Sequence, residues 1–367
     1  MKKQIAKTLL DIVPIPTTTH QTTRMSEWIT SNLHKYQHKH TYLDFKKDKY
    51  GNLYYTQKCQ DKPADLFPTM VCHIDTVHSI NHNIKAYIEN DIIYAMDTSD
   101  MTQFGTGGDD KVGIAITLHM FQLFRNFKAV FFLDEEHGCL GSNQADKTFF
   151  DNSTVVLECD RRGNEDFVNK IGSTKLFGKS LYKVIKPILQ SHDRKVVTGG
   201  ITDVGAIAKL NPVMSANMSC GYFNPHSNSE TIHLNDVVKT FYLCSEIFSA
   251  TQHKRFAYNT IKDRQVHQVY SGWNNYGLQS YGQTFYKPKV SSNQVSKKNQ
   301  NQTDIFRDYE LEECGVQMYE TNDEDVDIYW SDEVECICNE NNMEYDDYED
   351  EWYCHTCGKY KRTNKLV

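Results

Sequence analysis

Nowhere in its 367 residues does the chain hold the ~20 consecutive apolar residues that a membrane-spanning helix needs. The N-terminus, Met1-Lys-Lys-Gln-Ile-Ala-Lys-Thr-Leu-Leu, is positively charged, but the apolar run after it is short and broken by Asp11, so it lacks the form of a secretory signal. A cytoplasmic protein without membrane contact is therefore expected. The 11 cysteines are odd in number and do not look like a disulfide scaffold; in a reducing compartment, clustered cysteines more often bind metal. The glycine-rich stretch Phe104-Gly-Thr-Gly-Gly-Asp109-Asp110-Lys-Val-Gly lacks the Gly-Lys-Ser/Thr of a phosphate loop, and its two acids repel phosphate. Basic residues are missing altogether from Asp308 to Glu351, a stretch with 19 Asp or Glu. The remainder then carries 29 acids against 40 bases, a formal +11 hidden within a net −8, and this asymmetry points to separate parts.

What is present begins with two amphipathic helical segments between residues 3 and 35, separated by the Pro14-Ile-Pro16-Thr-Thr-Thr turn. A buried strand follows, Thr69-Met-Val-Cys-His73-Ile-Asp75-Thr-Val. Side chains alternate along a strand, so His73 and Asp75 share a side, and Asp75 is placed to support a metal held by His73. Residues 84–97 alternate around Ile92-Ile-Tyr-Ala and predict a short hairpin. The glycine-rich loop then runs into an apolar helix with Asp109 and Asp110 at its start, a place suited to a cation or to capping.

Two more apolar runs end in acids: Phe127-Lys-Ala-Val-Phe-Phe-Leu-Asp-Glu135-Glu136 and Ser153-Thr-Val-Val-Leu-Glu158-Cys-Asp160. Repeated strand, loop and helix predict an α/β fold of three layers, a mostly parallel sheet with helices on both faces. Ligands of such sheets bind beyond the carboxyl ends of the strands, where His73, Asp75, Glu135, Glu136 and Asp160 all fall. So dense a set of buried carboxylates calls for a neutralising cation. His226, in the loop after Pro225, adds a second imidazole. The candidate metal ligands are thus His73, Asp109, Glu136, Asp160 and His226. Asp109 can offer one oxygen to each of two metals, and one Glu of the 135–136 pair stays free as a general base for a water that the metals share. Glu158 is an alternative to Asp160, since both face the same side. Cys72, Cys139 and Cys159 flank the site and read as core, as does His119.

These residues resemble the co-catalytic di-zinc exopeptidase superfamily, which includes peptidase T, the aminoacylases and the compact zinc aminopeptidases. The resemblance covers about residues 1–250, through His73-Ile-Asp75, Gly108-Asp109-Asp110-Lys-Val-Gly, Asp134-Glu135-Glu136-His-Gly, Asp160 and His226-Ser-Asn-Ser-Glu230, with softer matches at Asp48-Lys-Tyr-Gly-Asn-Leu and Gly199-Gly-Ile-Thr-Asp203. It implies two Zn2+ (or Co2+ or Mn2+), one on His73 and Asp160, the other on Glu136 and His226, with Asp109 shared. It further implies that Asp75 orients the imidazole, that Glu135 is the base and that the Asp109–Asp110 peptide is cis. Arg161, right after Asp160, is a candidate for a substrate carboxylate, its alternative being a solvated loop charge; Asp203 is a second candidate for substrate contact. The implied substrates are small peptides or, by the same chemistry, N-acyl amino acids. No insert large enough for the lid of peptidase T-like members separates the motifs, so the lid is expected to be absent.

The catalytic part is assigned to residues 1–251, a polar low-complexity linker to 252–307, an acidic segment to 308–334 and a small module to 335–367. In the module, Cys336-Ile-Cys338 and Cys354-His-Thr-Cys357-Gly suit a zinc ribbon with one structural Zn2+. The acidic run before it makes nucleic acid an unsuitable partner and a protein partner the better one. An adaptor with a vestigial site is the competing reading, which the complete ligand set disfavours.

Overall fold

The computed structural model describes residues 1–62 and 64–258, together with the backbone of residues 343–346, 351–354 and 360–361. In chain order the elements are helices α1 (Lys2–Ile12) and α2 (Thr23–Asn32), strands β1 (Thr41–Lys47), β2 (Leu53–Cys59) and β3 (Phe67–His73), then β4 (Ile84–Glu89), β5 (Ile92–Asp97) and β6 (Thr102–Phe104). They continue with α3 (Gly108–Leu123), β7 (Phe127–Phe132), α4 (Leu140–Asn143), β8 (Ser153–Glu158), β9 (Asp166–Ile171), β10 (Thr174–Lys175) and α5 (Lys179–Ser191). Last come β11 (Lys195–Gly199), α6 (Asp203–Leu210), β12 (Ser215–Met218), β13 (Tyr222–Phe223), β14 (Thr231–His233) and α7 (Leu234–Thr251).

Every residue of β3, β7 and β8 is buried, as unbroken apolar runs require when both faces of a sheet are covered. These strands lie at the centre of a nine-stranded sheet in the order β1-β2-β7-β3-β8-β12-β9-β10, with β11 beside β9. The run β7-β3-β8-β12 is parallel, and the flanks add antiparallel pairs. α1, α3, α5 and α7 pack together as one helical layer, while α4 and α6 form another. Helical spacing explains the first layer: Ile5, Leu9 and Ile12 of α1 are buried, as are Val237, Phe241, Cys244 and Phe248 of α7. α3 is buried nearly all round because it lies between the sheet and its neighbours. A second sheet, β13-β14-β5-β4 with β6 on β5, contains the expected hairpin. No helix among the described residues is long and apolar enough to cross a membrane.

The order of strands places the site. From β3 the chain passes through α3 to β7 on one side, and from β7 through α4 to β8 on the other side of β3. The connections therefore diverge at β3 and leave a crevice over its carboxyl end.

Ordered packing continues past Thr251. Phe256 is 4% exposed, its N–H donates to the Thr154 carbonyl, and the Tyr258 N–H reaches the Pro212 carbonyl. Residues 252–258 thus belong to the globular part rather than to the linker, whose expected remainder lies outside the described residues, as does the acidic segment. Near the C-terminus, strands β15 (Met343–Asp346), β16 (Glu351–Cys354) and β17 (Tyr360–Lys361) form an antiparallel sheet. Cys336, Cys338 and Cys357 lie outside the described residues, and of Cys354 only the backbone is described.

One buried amide ties the layers together. Gln57 Nε2 donates to the carbonyls of Phe121 (2.8 Å) and Phe124 (2.6 Å) at the end of α3, and its Oε1 accepts the His38 N–H at 3.1 Å. Gln57→Leu leaves these backbone groups unpaired in the core, at a cost of about 3 kcal/mol. Thermal unfolding is expected to shift down by roughly 6–10 °C; an unchanged Tm contradicts the assignment.

Candidate metal centre

Parallel pairing of β3 with both β7 and β8 brings three strand ends side by side. His73 closes β3, Glu135 and Glu136 follow β7, and Asp160 follows β8. Asp109 comes from the start of α3 and His226 from the loop between β13 and β14. Asp109 and Asp110 have non-helical backbone angles and a cis peptide between them, so regular helix begins after Asp110. Gly107 must precede them: its φ is +61°, and a Cβ there lies 2.9 Å from Thr76 Cγ2. Asp110 turns away from the crevice, accepting the N–H groups of Gly113 (3.0 Å) and His73 (3.3 Å). His226 and Asp134 sit at φ +60° and +58°, residue types that tolerate the left-handed region.

The contacts sort into two halves around Asp109. His73 Nε2 lies 3.1 Å from Asp109 Oδ1 and 3.6 Å from Asp160 Oδ1. His226 Nε2 lies 3.3 Å from Asp109 Oδ2 and 3.3 Å from Glu136 Oε2. Glu135 Oε2 stands 4.0 Å from His73 Nε2. Donor atoms of His73, Asp109 and Glu136, and of His73, Glu135 and Asp160, also lie close enough together to hold an ion. The two groupings divide the same residues differently; the shortest contacts favour the division at Asp109.

The His73 tautomer follows from its partners. Nδ1 lies 3.0 Å from the Asp75 carbonyl, which can only accept, so Nδ1 carries a proton. Nε2 then faces carboxylate oxygens, and something positive must lie between them. Burial opposes a charged imidazole, but Asp109, Asp160 and Asp75 raise its pKa well above the ordinary range. Hydrogen bonds with Asp109 and Glu136 push His226 up to about 10. Burial, then Asp109, raises Asp160 to about 7, and burial raises Glu135 to about 9, reinforced by Asp160, Asp203 and Glu136. Asp109 moves the other way: although burial opposes it, His226 and His73 hold it well below the usual carboxylate range. Two ionised carboxylates 4 Å apart repel by about 4 kcal/mol at an effective dielectric near 20. Two imidazoles cannot offset Asp109, Asp160, Glu135 and Glu136 together while all four stay ionised. Divalent cations fit this donor set of imidazole nitrogens and carboxylate oxygens, and buried Glu136 Oε1, which has no hydrogen-bond partner, is a further donor.

The other expected residues separate. Asp75 is fully buried; its Oδ1 is 3.4 Å from His73 Nδ1, so the backbone carbonyl is the nearer partner. The Asp75 carboxylate instead accepts the N–H groups of Glu135 (3.0 Å) and Glu136 (3.2 Å) and the Thr19 hydroxyl (3.1 Å), joining the β3 loop to the acids after β7. Arg161 is turned to Asp166, with contacts of 2.9 and 2.7 Å. Asp203, expected to touch substrate, is 0% exposed, which leaves it no face for one; burial raises its pKa to about 7. Glu158 is equally buried and accepts from Thr202 Oγ1 (2.7 Å) and the Val204 N–H, so it caps α6, and Asp160 faces His73. Asp160 is held by residues to which the sequence assigned no role: Thr202 Oγ1 at 2.9 Å, Tyr222 OH at 3.2 Å, and Asn217, which pairs with its backbone at both ends.

No protein-family model matches the sequence, and no curated protein matches it. Solved structures do. An aminopeptidase PepT from Bacillus cereus ATCC 10987 aligns over 68% of this chain and 99% of its own, at 13% identity and a TM-score of 0.57. A tripeptidase from Staphylococcus aureus subsp. aureus mu50 aligns over 67% and 97%, at 13% and 0.56. An aminopeptidase from the archaeon Desulfurococcus kamchatkensis aligns over 69% and 96%, at 12% and 0.51. The fold is shared with these peptidases. At such identities the likeness is one of backbone, and this shared frame places the acids described above at the ends of its central strands.

The charge balance has a measurable consequence. In the metal-free protein Asp160, Glu135, Asp203 and His226 all keep protons that the unfolded chain releases at lower pH. Through these four groups the folded state binds more protons than the unfolded chain between about pH 4 and about 10, so their contribution to stability falls as pH rises through that window. Metal held by Asp160 and His226 would take the place of their protons. The Tm difference between zinc-loaded and chelator-treated protein is expected to widen from pH 6 to pH 8.5; a constant difference contradicts the site.

Proposed function

We propose that the chain is a metal-dependent exopeptidase, an aminopeptidase or dipeptidase-like hydrolase of small peptides, with Glu135 as general base. The observation that carries this reading is Asp109, whose two oxygens are turned to two different imidazoles, each with its own further carboxylate. His73, Asp160 and Asp109 would hold one ion, and Asp109, Glu136 and His226 the other, with zinc the best match to this donor set. Bound there, the ions supply Lewis acidity to the scissile carbonyl and acidity to a water.

The chain's own residues do the rest. Glu135 is 12% exposed in its side chain, and Oε1 accepts from Cys139 Sγ at 3.3 Å. Oε2 faces the cluster and takes the proton of the attacking water, then returns it to the leaving amine. Cationic charge nearby brings Glu135 down from its raised pKa, so that it is ionised when needed. Asp75 holds the Glu135 and Glu136 backbone, which fixes the base relative to the ligand beside it. Arg161 remains a candidate for a substrate carboxylate if Asp166 releases it. The same proposal keeps one structural zinc on Cys336, Cys338, Cys354 and Cys357, with the C-terminal module as a protein-docking element.

Glu135→Gln is expected to lower kcat by 10²–10⁴-fold while leaving the metal content measured by mass spectrometry unchanged. Turnover at the wild-type rate removes Glu135 from this role. A free tripeptide and its N-acetylated form, offered to the purified protein, separate the two hydrolase readings. Cleavage of the free peptide from its amino end supports the aminopeptidase; release of acetate alone assigns a deacylase.

A further inference from the structure

Glu230 is a fully buried carboxylate four residues after His226, and it faces three donors. Its Oε2 accepts the Gly107 N–H at 2.7 Å and lies 2.9 Å from His78 Nε2; its Oε1 accepts the Asp109 N–H at 3.2 Å. These donors come from separate segments: His78 from the loop that leaves β3 after His73 and Asp75, Gly107 and Asp109 from the start of α3. Glu230 itself belongs to the loop that carries His226. The His78 ring packs directly against Gly105, where a Cβ would lie 2.0 Å from it.

Asp109 needs such a clamp. Its own backbone angles are non-helical, it follows a left-handed Gly107, and its N–H donates to Glu230. Yet its two oxygens must stay aligned with two imidazoles, one at the end of β3 and one on the loop between β13 and β14. We infer that Glu230 is a positioning residue for the metal pair: it fixes the Asp109 backbone and locks it to the loop that leaves β3 after His73 and to the loop that bears His226. The inference rests on the metallopeptidase reading above and adds a residue to it.

Replacing Glu230 by Gln keeps the size but puts an NH2 where one carboxylate oxygen met an N–H, so one contact becomes donor against donor. Supports of this kind are worth 10–100-fold in metal affinity or activity. The test is competition for zinc between a chromophoric chelator and the full-length protein, in wild type, Glu230→Gln and His78→Ala, with thermal scans of metal-free and zinc-loaded samples. Glu230→Gln is expected to bind the zinc pair 10–100-fold more weakly and to lose kcat with little change in KM, and the Tm gain on zinc loading shrinks. A merely structural role lowers both Tm values alike and leaves zinc affinity at the wild-type level, which overturns the inference. If Glu230→Gln does not fold, His78→Ala decides: weakened zinc binding supports the clamp, and unchanged binding overturns it. Wild-type protein that binds no metal pair would instead refute the metallopeptidase reading itself.

Discussion

Four carboxylates and two imidazoles converge on one crevice, and their mutual repulsion is the constraint that the surrounding structure has to satisfy. Asp109, Asp160, Glu135 and Glu136 cannot all be ionised beside one another without positive charge between them. Protons supply it in the metal-free protein: burial, reinforced by neighbouring carboxylates, raises Asp160 and Glu135, and the carboxylates raise His73 and His226 against the effect of burial. Divalent ions can supply it more effectively. The geometry favours ions, because Asp109 turns one oxygen to each half of the cluster rather than pairing with one partner.

Holding such a cluster requires rigid supports. The central strands are buried on both faces, so their ends are fixed by the core. Most of the cluster is braced from behind: His73 by the Asp75 carbonyl, the Glu135–Glu136 backbone by the Asp75 carboxylate, Asp160 by Thr202, Tyr222 and Asn217, and the Asp109 backbone by Glu230. Most of these braces are themselves buried, where hydrogen bonds are least exposed to competition from water. The Glu135 side chain, by contrast, has a thiol as its hydrogen-bond partner.

Much of this was legible in the sequence, for physical reasons. β3, β7 and β8 are continuous apolar runs that stop at acids, and the parallel centre of the sheet follows from them. Edge strands were harder to see: β11 is largely exposed and has no apolar continuity. The ligands could be named because metal chemistry restricts residue types and the motifs kept their order. Their braces could not, because Thr202, Asn217 and Tyr222 meet Asp160 across more than 40 residues of chain and carry no distinctive type. Glu230 stood in the His226 motif without a role. Asp203 was a candidate substrate contact within the Gly199–Asp203 match, but the first turn of α6 carries it into the core. The Asp75 assignment was half legible: its proximity to His73 follows from strand alternation, while its bonds to Glu135 and Glu136 depend on which strands are neighbours.

The central proposal is that Asp109 would stand between two metal ions. Anomalous diffraction at the zinc edge, on crystals of the full-length protein grown with zinc, tests it most directly. Two peaks are predicted, one beside His73 and Asp160 and the other beside Glu136 and His226, with Asp109 contacting both. A single peak, or two peaks that do not share Asp109, would contradict the account.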